Sequence, residues 1–165
     1  MIESKLPRVG TTIFTRMSAL SQECGAINLS QGFPDFDPPP GLADALGRAA
    51  AAGHNQYAPM AGLPRLRTAV ADQLARHRGV QADAEQEITI VPGATEGIFC
   101  AVTATVRPGD EVIVFDPVYD SYEPAIELAG GKAVHVPLSP GNFRIDWDRV
   151  AGAITPRTRM IMLNS

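Results

Sequence analysis

Lysine is almost missing from this chain: among 165 residues only Lys5 and Lys132 occur, and the other basic residues are scattered arginines. The formal net charge is −4 and no Lys/Arg-rich block exists, so nucleic acid and anionic membranes are not expected as partners. Cysteine is as sparse. Cys24 and Cys100 stand far apart without paired spacing, and both read as free thiols of a reducing cytosol. His54, His77 and His135 have no metal-ligand spacing either, so each reads as a surface or structural histidine and no metal site is expected. No apolar run approaches the roughly 20 residues of a membrane span, and "MIESKLPRVG" has no apolar core of a secretory signal. The expectation is a soluble cytoplasmic protein.

Familiar site signatures are absent too. "PGATEG" (92–97) is not GxGxxG, and "GGK" (130–132) lacks both the upstream glycine and the following Ser/Thr of a Walker loop. There is no GxSxG nucleophile elbow.

What is present is a globular composition, 45% hydrophobic and 19% charged, long enough for one domain with a real core. Residues 1–40 read as an irregular arm. Within it "NLSQGFPDFDPPP" (28–40) is proline-rich and extended, with Phe33 and Phe36 expected to pack. Leu42, Ala45, Leu46 and Ala49 recur at helical spacing, with a stop at Gly53. Leu63, Leu66, Val70 and Leu74 form a second stripe, ended by Gly79.

From residue 86 strands and helices alternate. "EITIV" predicts a strand, and residues 95–106 predict a helix with Ile98, Phe99, Val102 and Val106 inward. "DEVIVFD" predicts a strand buried on both faces, followed by a helix in "YEPAIELAGG" and the strand "KAVHVPL". A short helix in "DWDRVAGAI" leads to a second doubly buried strand, "TRMIMLN". This alternation predicts an α/β three-layer sandwich around a mainly parallel sheet, in which ligands bind outside the carboxyl ends of the strands. The sequence stops at Ser165 as that strand reaches its carboxyl end, so a portion of a longer protein is expected.

Two strand ends carry chemistry. At Gly93-Ala94-Thr95 small residues let backbone N–H groups at a helix start approach an anion; the plainer alternative is that Thr95 caps the helix, with Glu96 in its first turn. At "FDPVYDSY" the strand ends on Tyr119, which either stacks on a flat ring or simply packs at a helix start.

Together "NLSQGFPDFDPP", "NQYAPMAGLPRLR", "ITIVPGATEGIF", "GDEVIVFDPVYDSYEPAIELAGG" and "MIMLNS" resemble, over nearly the whole chain, the N-terminal half of pyridoxal-phosphate-dependent aminotransferases of classes I and II (fold type I). The match is to the branch of methionine and kynurenine–oxoglutarate aminotransferases. The resemblance implies transamination between methionine, glutamine or an aromatic amino acid and a 2-oxo acid, with pyridoxal 5'-phosphate as cofactor. It implies that Gly93, Ala94 and Thr95 hold the cofactor phosphate and that Tyr119 stacks on its ring. Gly32 would line the substrate carboxylate site and Phe14 the substrate side chain. Tyr57 would reach the phosphate of a neighbouring subunit, hence a homodimer with shared sites. On this reading residues 1–40 form an arm and substrate-side segment, and residues 41–165 the first part of the cofactor-binding large domain.

The chain departs from the pattern at 94–95, where Ala-Thr stands in place of the Gly-Tyr of some relatives. The lysine that carries the cofactor, the aspartate that pairs the pyridinium nitrogen and the carboxylate-binding arginine belong beyond "LNS". Neither Lys5 nor Lys132 has the matching context, so no catalytic residue is assigned within the 165 residues. A carbon–sulfur β-lyase using the same cofactor cradle, and a non-catalytic aminotransferase-like binding domain, are the competing readings.

Overall fold

In the computed structural model, which describes residues 3–7, 9–30, 32 and 34–164, helices and strands follow one another along the chain. They are α1 (Ile13–Glu23), α2 (Pro40–Ala51), α3 (Pro64–Arg78), α4 (Ala94–Thr105), β1 (Glu111–Asp116), α5 (Tyr122–Leu128), β2 (Lys132–Pro137), α6 (Trp147–Ala153) and β3 (Thr158–Ile161). The chain divides into two compact units, Met1–Ile13 with Pro92–Ser165, and Phe14–Val91.

The first unit is organised by "EVIVFD". Its β-branched run forms β1, the central strand of a sheet ordered β2-β1-β3, with both neighbours parallel to it. Successive side chains of a strand point to opposite faces. Val112 and Val114 accordingly pack with Val102 and Val106 and with Tyr122, Ala125 and Ile126 of α5. Ile113 and Phe115 pack on the other face with Val136 and with Val150 of α6. Helices therefore cover both faces of a parallel sheet, the expected three-layer α/β arrangement.

Several details differ from the sequence reading. On α4, Val102 and Val106 are buried and Ile98 packs against them, but Phe99 is 44% exposed. A step of 100° per residue puts position 99 about 60° round from Val102 and about 100° from Ile98, on the flank of the buried stripe, while Val106 already has extended backbone at the helix end. β3 is not doubly buried. It is an edge strand, so Thr158 and Met160 are half-buried on the α5 side while Arg159 and Ile161 stay exposed on the other. "EITIV", which belongs to the second unit, forms no ladder; Ile90 N–H instead donates to the Ala61 carbonyl of the same unit at 3.1 Å.

At the amino end of β1 the buried Glu111 carboxylate accepts from Thr155 Oγ1 (2.6 Å) and from Arg157 Nη2 (2.6 Å) and Nε (3.1 Å). The Thr155 hydrogen bond first, then Arg157, hold the Glu111 pKa below its ordinary value. A depressed carboxylate contributes stability that is present above its unfolded pKa and lost as pH falls through the folded one. Glu111→Gln is therefore expected to lower the melting temperature at neutral pH and to flatten its decline below about pH 4.5. A melting series across that range compares the two; an unchanged acid limb would contradict the assignment.

In the second unit α1 lies within the stretch read as irregular, and it has a signal: Ile13, Met17 and Leu20 are spaced at helical intervals. Phe36 is 75% exposed rather than packed, and Phe33 lies outside the described residues. α2 spans the expected segment, but Leu42 and Leu46 are exposed and no residue of the helix is buried. On α3 Val70 and Leu74 are half-buried, while Leu63 and Leu66 remain 42% and 44% exposed. The buried residue of α3 is Arg67, whose Nη1 donates to the carbonyls of Ala84 (2.8 Å) and Glu85 (3.2 Å). Gly62, at φ 96°, lies so close to Ile90 that an added Cβ would meet its Cγ1 at 2.5 Å.

Candidate functional site

α4 starts at Gly93, whose φ of 97° and ψ of 159° belong to a region that is essentially glycine-only. No side chain caps this helix. Thr95 is thus not the cap; it stands in the first turn, and the hydrogen bond closing that turn runs from Gly97 N–H to the Gly93 carbonyl. The N–H groups of the preceding positions have no intrahelical acceptor, and the helix dipole adds positive potential there. Gly93, Ala94 and Thr95 are all exposed, and an added Cβ at Gly93 would meet nothing within 4 Å. The helix start is open to a ligand, and its chemistry suits an anion.

α4 and β1 pack in one core and are joined by the short segment 106–110, so they run antiparallel. The 12 residues of α4 span about 18 Å, enough to bring its N-terminus to the carboxyl end of β1. Tyr119 stands at that same end. It is 41% exposed, its ring meets Tyr122 edge-on (centroids 5.6 Å apart, planes at 85°), and its carbonyl accepts from Tyr122 N–H at 3.1 Å. A small cleft of about 70 Å³ has Tyr119 on its wall together with Phe115, Leu138, Met162 and Asn164, which places it where the carboxyl ends of β1, β2 and β3 converge. A larger groove of about 450 Å³ runs past the other side of Tyr119, between Asp120 and Glu123 and the segment from Val9 to Ile13.

The topology thus puts the start of α4, with Gly93, Ala94 and Thr95, at the same edge of the sheet as Tyr119, although none of these three lines either cleft. Phe14, Gly32 and Tyr57 belong to the second unit and are not among the residues lining either cleft. Phe14 is half-buried in the first turn of α1, Gly32 is exposed, and Tyr57 is 102% exposed in the loop before α3. Lys132 pairs with Glu111 in the register, so it lies at the amino end of the sheet, opposite the clefts.

Sequence reasoning missed a third group at the carboxyl edge. His135 Nδ1 lies 2.9 Å from Asp116 Oδ1, and its Nε2 lies 3.8 Å from Glu123 Oε1. The hydrogen bond with Asp116 foremost raises the His135 pKa; desolvation, next in size, lowers it, and the charges of Asp116 and Glu123 raise it further, so that the net shift is upward. Only the β1–β2 register brings these residues together. Asn164, the other addition, is polar and ends a strand pattern, which was the available signal. Among the described residues no group of His, Cys, Asp and Glu could hold a metal ion, and no helix is long and apolar enough to cross a membrane.

Residues 25–165 match the family model of aminotransferase class I and II. The chain belongs to this family. It is 55% identical over 163 residues to the methionine aminotransferase of Escherichia coli K12, covering 99% of the chain and 42% of that protein. The crystal structure of Escherichia coli YbdL, described as having a methionine aminotransferase function, superposes with a TM-score of 0.93 at 54% identity, over 98% of this chain and 42% of that one. The N-succinyldiaminopimelate aminotransferase of Mycobacterium tuberculosis superposes with the same TM-score at 47% identity, over 100% of this chain and 44% of that one. The chain spans less than half the length of these aminotransferases and forms the N-terminal part of the fold type I architecture.

Proposed function

We propose that the whole protein is a pyridoxal 5'-phosphate-dependent aminotransferase that moves an amino group between methionine, glutamine or an aromatic amino acid and a 2-oxo acid. The observation that carries this reading is the shared sheet edge: the uncapped start of α4 and the half-exposed Tyr119 ring both face it. An anionic phosphate suits the free N–H groups at Ala94 and Thr95, and the Thr95 hydroxyl offers a further hydrogen bond. Tyr119 offers a flat face for the pyridine ring. Bound there, the cofactor supplies the electron sink that eases removal of a proton from the substrate α-carbon. The residues of this chain anchor the phosphate, orient the ring and wall one side of the pocket. The group that moves the proton lies outside the 165 residues, in keeping with Lys132 at the opposite end of the sheet.

The remaining assignments are part of the same proposal. Gly32 and Phe14 would serve the substrate carboxylate and side chain. Tyr57, fully exposed on a loop, suits a role in a second subunit's phosphate site and hence a homodimer. Free Cys24 and Cys100 suit a reducing cytoplasm.

Borohydride reduction of the full-length protein followed by intact mass tests the reading. A chain carrying a covalent pyridoxyl-phosphate adduct, together with conversion of methionine only when a 2-oxo acid is supplied, is the expected result. Absence of any adduct would overturn it, and pyruvate and ammonia released without an acceptor would turn the chemistry into β-elimination. In the full-length apoprotein Tyr119→Ala is expected to weaken pyridoxal phosphate binding about 2–10-fold, the range of one stacking contact, while inorganic phosphate binds unchanged. Equal weakening of both ligands would remove Tyr119 from the ring site.

A further inference from the structure

We propose that His135 is a positioning residue for Tyr119, clamping both ends of the loop that presents it; this role rests on the ring-stacking reading above. The loop 117–121 leaves β1 at Asp116 and enters α5, whose first turn carries Glu123. One imidazole on the neighbouring strand β2 faces both feet, Nδ1 toward Asp116 at 2.9 Å and Nε2 toward Glu123 at 3.8 Å. The first distance is a hydrogen bond, and the second is an ion-pair distance that holds only when the ring is charged. A neutral imidazole donates from one nitrogen, whereas a protonated one donates from both. The neutral ring therefore ties β2 to Asp116 alone, and the protonated ring draws Glu123 and the start of α5 in as well. Between these feet, Tyr119 is tied to α5 through its own carbonyl and its ring contact with Tyr122, so movement of the first turn of α5 turns the ring.

The elements packed against β2 are β1, α5 and α6. Asp116 is the charged group facing His135 from β1, and Glu123 the one from α5. α6, with Asp148 and Arg149, covers the opposite face through Val134 and Val136, and Lys132 lies at the far end of β2. All three members of the cluster are about one-third to one-half exposed, so their pairing contributes little to overall stability and its effect is local. The His135 pKa is raised, so the clamp is complete below the ordinary histidine value of 6.5 and is lost as pH rises through the raised folded value.

The test uses full-length protein, wild type, His135→Gln and His135→Arg, at about pH 6 and about pH 9. Two readouts are taken: backbone hydrogen exchange at 118–121, corrected for intrinsic rates, and apoprotein affinity for pyridoxal phosphate against inorganic phosphate. Comparing variants at the same pH removes the cofactor's own phosphate titration. Wild type is expected to lose loop protection and about 3–10-fold of its pyridoxal phosphate affinity at the higher pH, the scale of one aromatic contact. His135→Gln should show the high-pH values at both, and His135→Arg, permanently charged, should show the low-pH values at both, with phosphate affinity equal in all three. Loop exchange in His135→Gln identical to wild type overturns the clamp whatever the cofactor does. Loop protection lost with pyridoxal phosphate affinity unchanged overturns the role toward Tyr119. A wild-type protein that does not bind pyridoxal phosphate overturns the stacking reading itself, and the exchange data then bear on the clamp separately.

Discussion

Gly93→Val is expected to lower pyridoxal phosphate affinity of the full-length apoprotein by about 10–100-fold, the equivalent of roughly 1–3 kcal/mol of backbone strain. The reason is the backbone and not the space around it. An added Cβ at Gly93 meets no atom within 4 Å, yet φ 97° with ψ 159° is a conformation that a β-branched residue does not adopt. The peptide must rotate, and the N–H groups of Ala94 and Thr95 then leave the positions from which they reach an anion. Gly93→Ala separates the two causes. If strain decides, alanine loses most of what valine loses; if bulk decides, alanine binds nearly as well as glycine. Titration of the two apoproteins with pyridoxal phosphate reads the difference, and wild-type affinity in both would remove the helix start from the phosphate site. Inorganic phosphate affinity should fall in parallel, unlike the outcome at Tyr119.

The second large effect is on stability. Ile126→Ala is expected to cost about 2–5 kcal/mol, against about 0.5–1.5 for Ile126→Val. Ile126 is fully buried and belongs to one cluster with Val102 of α4, Val112 and Val114 of β1 and Tyr122 of its own helix. Its Cγ2 also lies 3.1 Å from where a Cβ on Gly131 would stand, so the turn into β2 packs against it as well. α4, β1 and the turn into β2 converge on this side chain, which leaves few ways to collapse around a cavity. Urea unfolding of the full-length protein, with hydrogen exchange at α5 as the local readout, measures the loss. A difference below about 1 kcal/mol between alanine and wild type would mean that α5 is not held by this core. Because α5 carries the far foot of the Tyr119 loop, the same variant should loosen the ring site.

The β1 segment and its surroundings were legible because local and tertiary preferences agree there. "EVIVFD" is β-branched from Val112 to Val114 and is buried on both faces, so the absence of alternation predicted its central place. The amphipathic positions 98, 102 and 106 predicted the core side of α4, and the start of that helix lies within one residue of its expected place. The placement of Gly93–Thr95 and Tyr119 was legible for a related reason: helix starts and strand ends in a parallel sheet lie on one edge whatever the loops do.

What sequence alone could not supply depends on partners distant along the chain. "EITIV" has the composition of a strand, but a strand exists only where a neighbour accepts its N–H groups, and here the neighbour is a single carbonyl at Ala61. "TRMIMLN" suggests a strand buried on both faces, yet its place at the edge of the sheet leaves one face uncovered. In the sequence His135 has no ligand spacing and reads as a surface or structural histidine. It faces Asp116 and Glu123 because β2 pairs parallel with β1 in one register; a slip of one residue would turn its ring to the α6 face. Residue types and local periodicity determined that 111–116, 132–137 and 158–161 are strands alternating with helices, and that small residues and an aromatic stand at their ends. Only the tertiary structure decided strand order, edge exposure and the imidazole between two carboxylates, because each depends on which backbone groups meet across some 20 residues or more of chain.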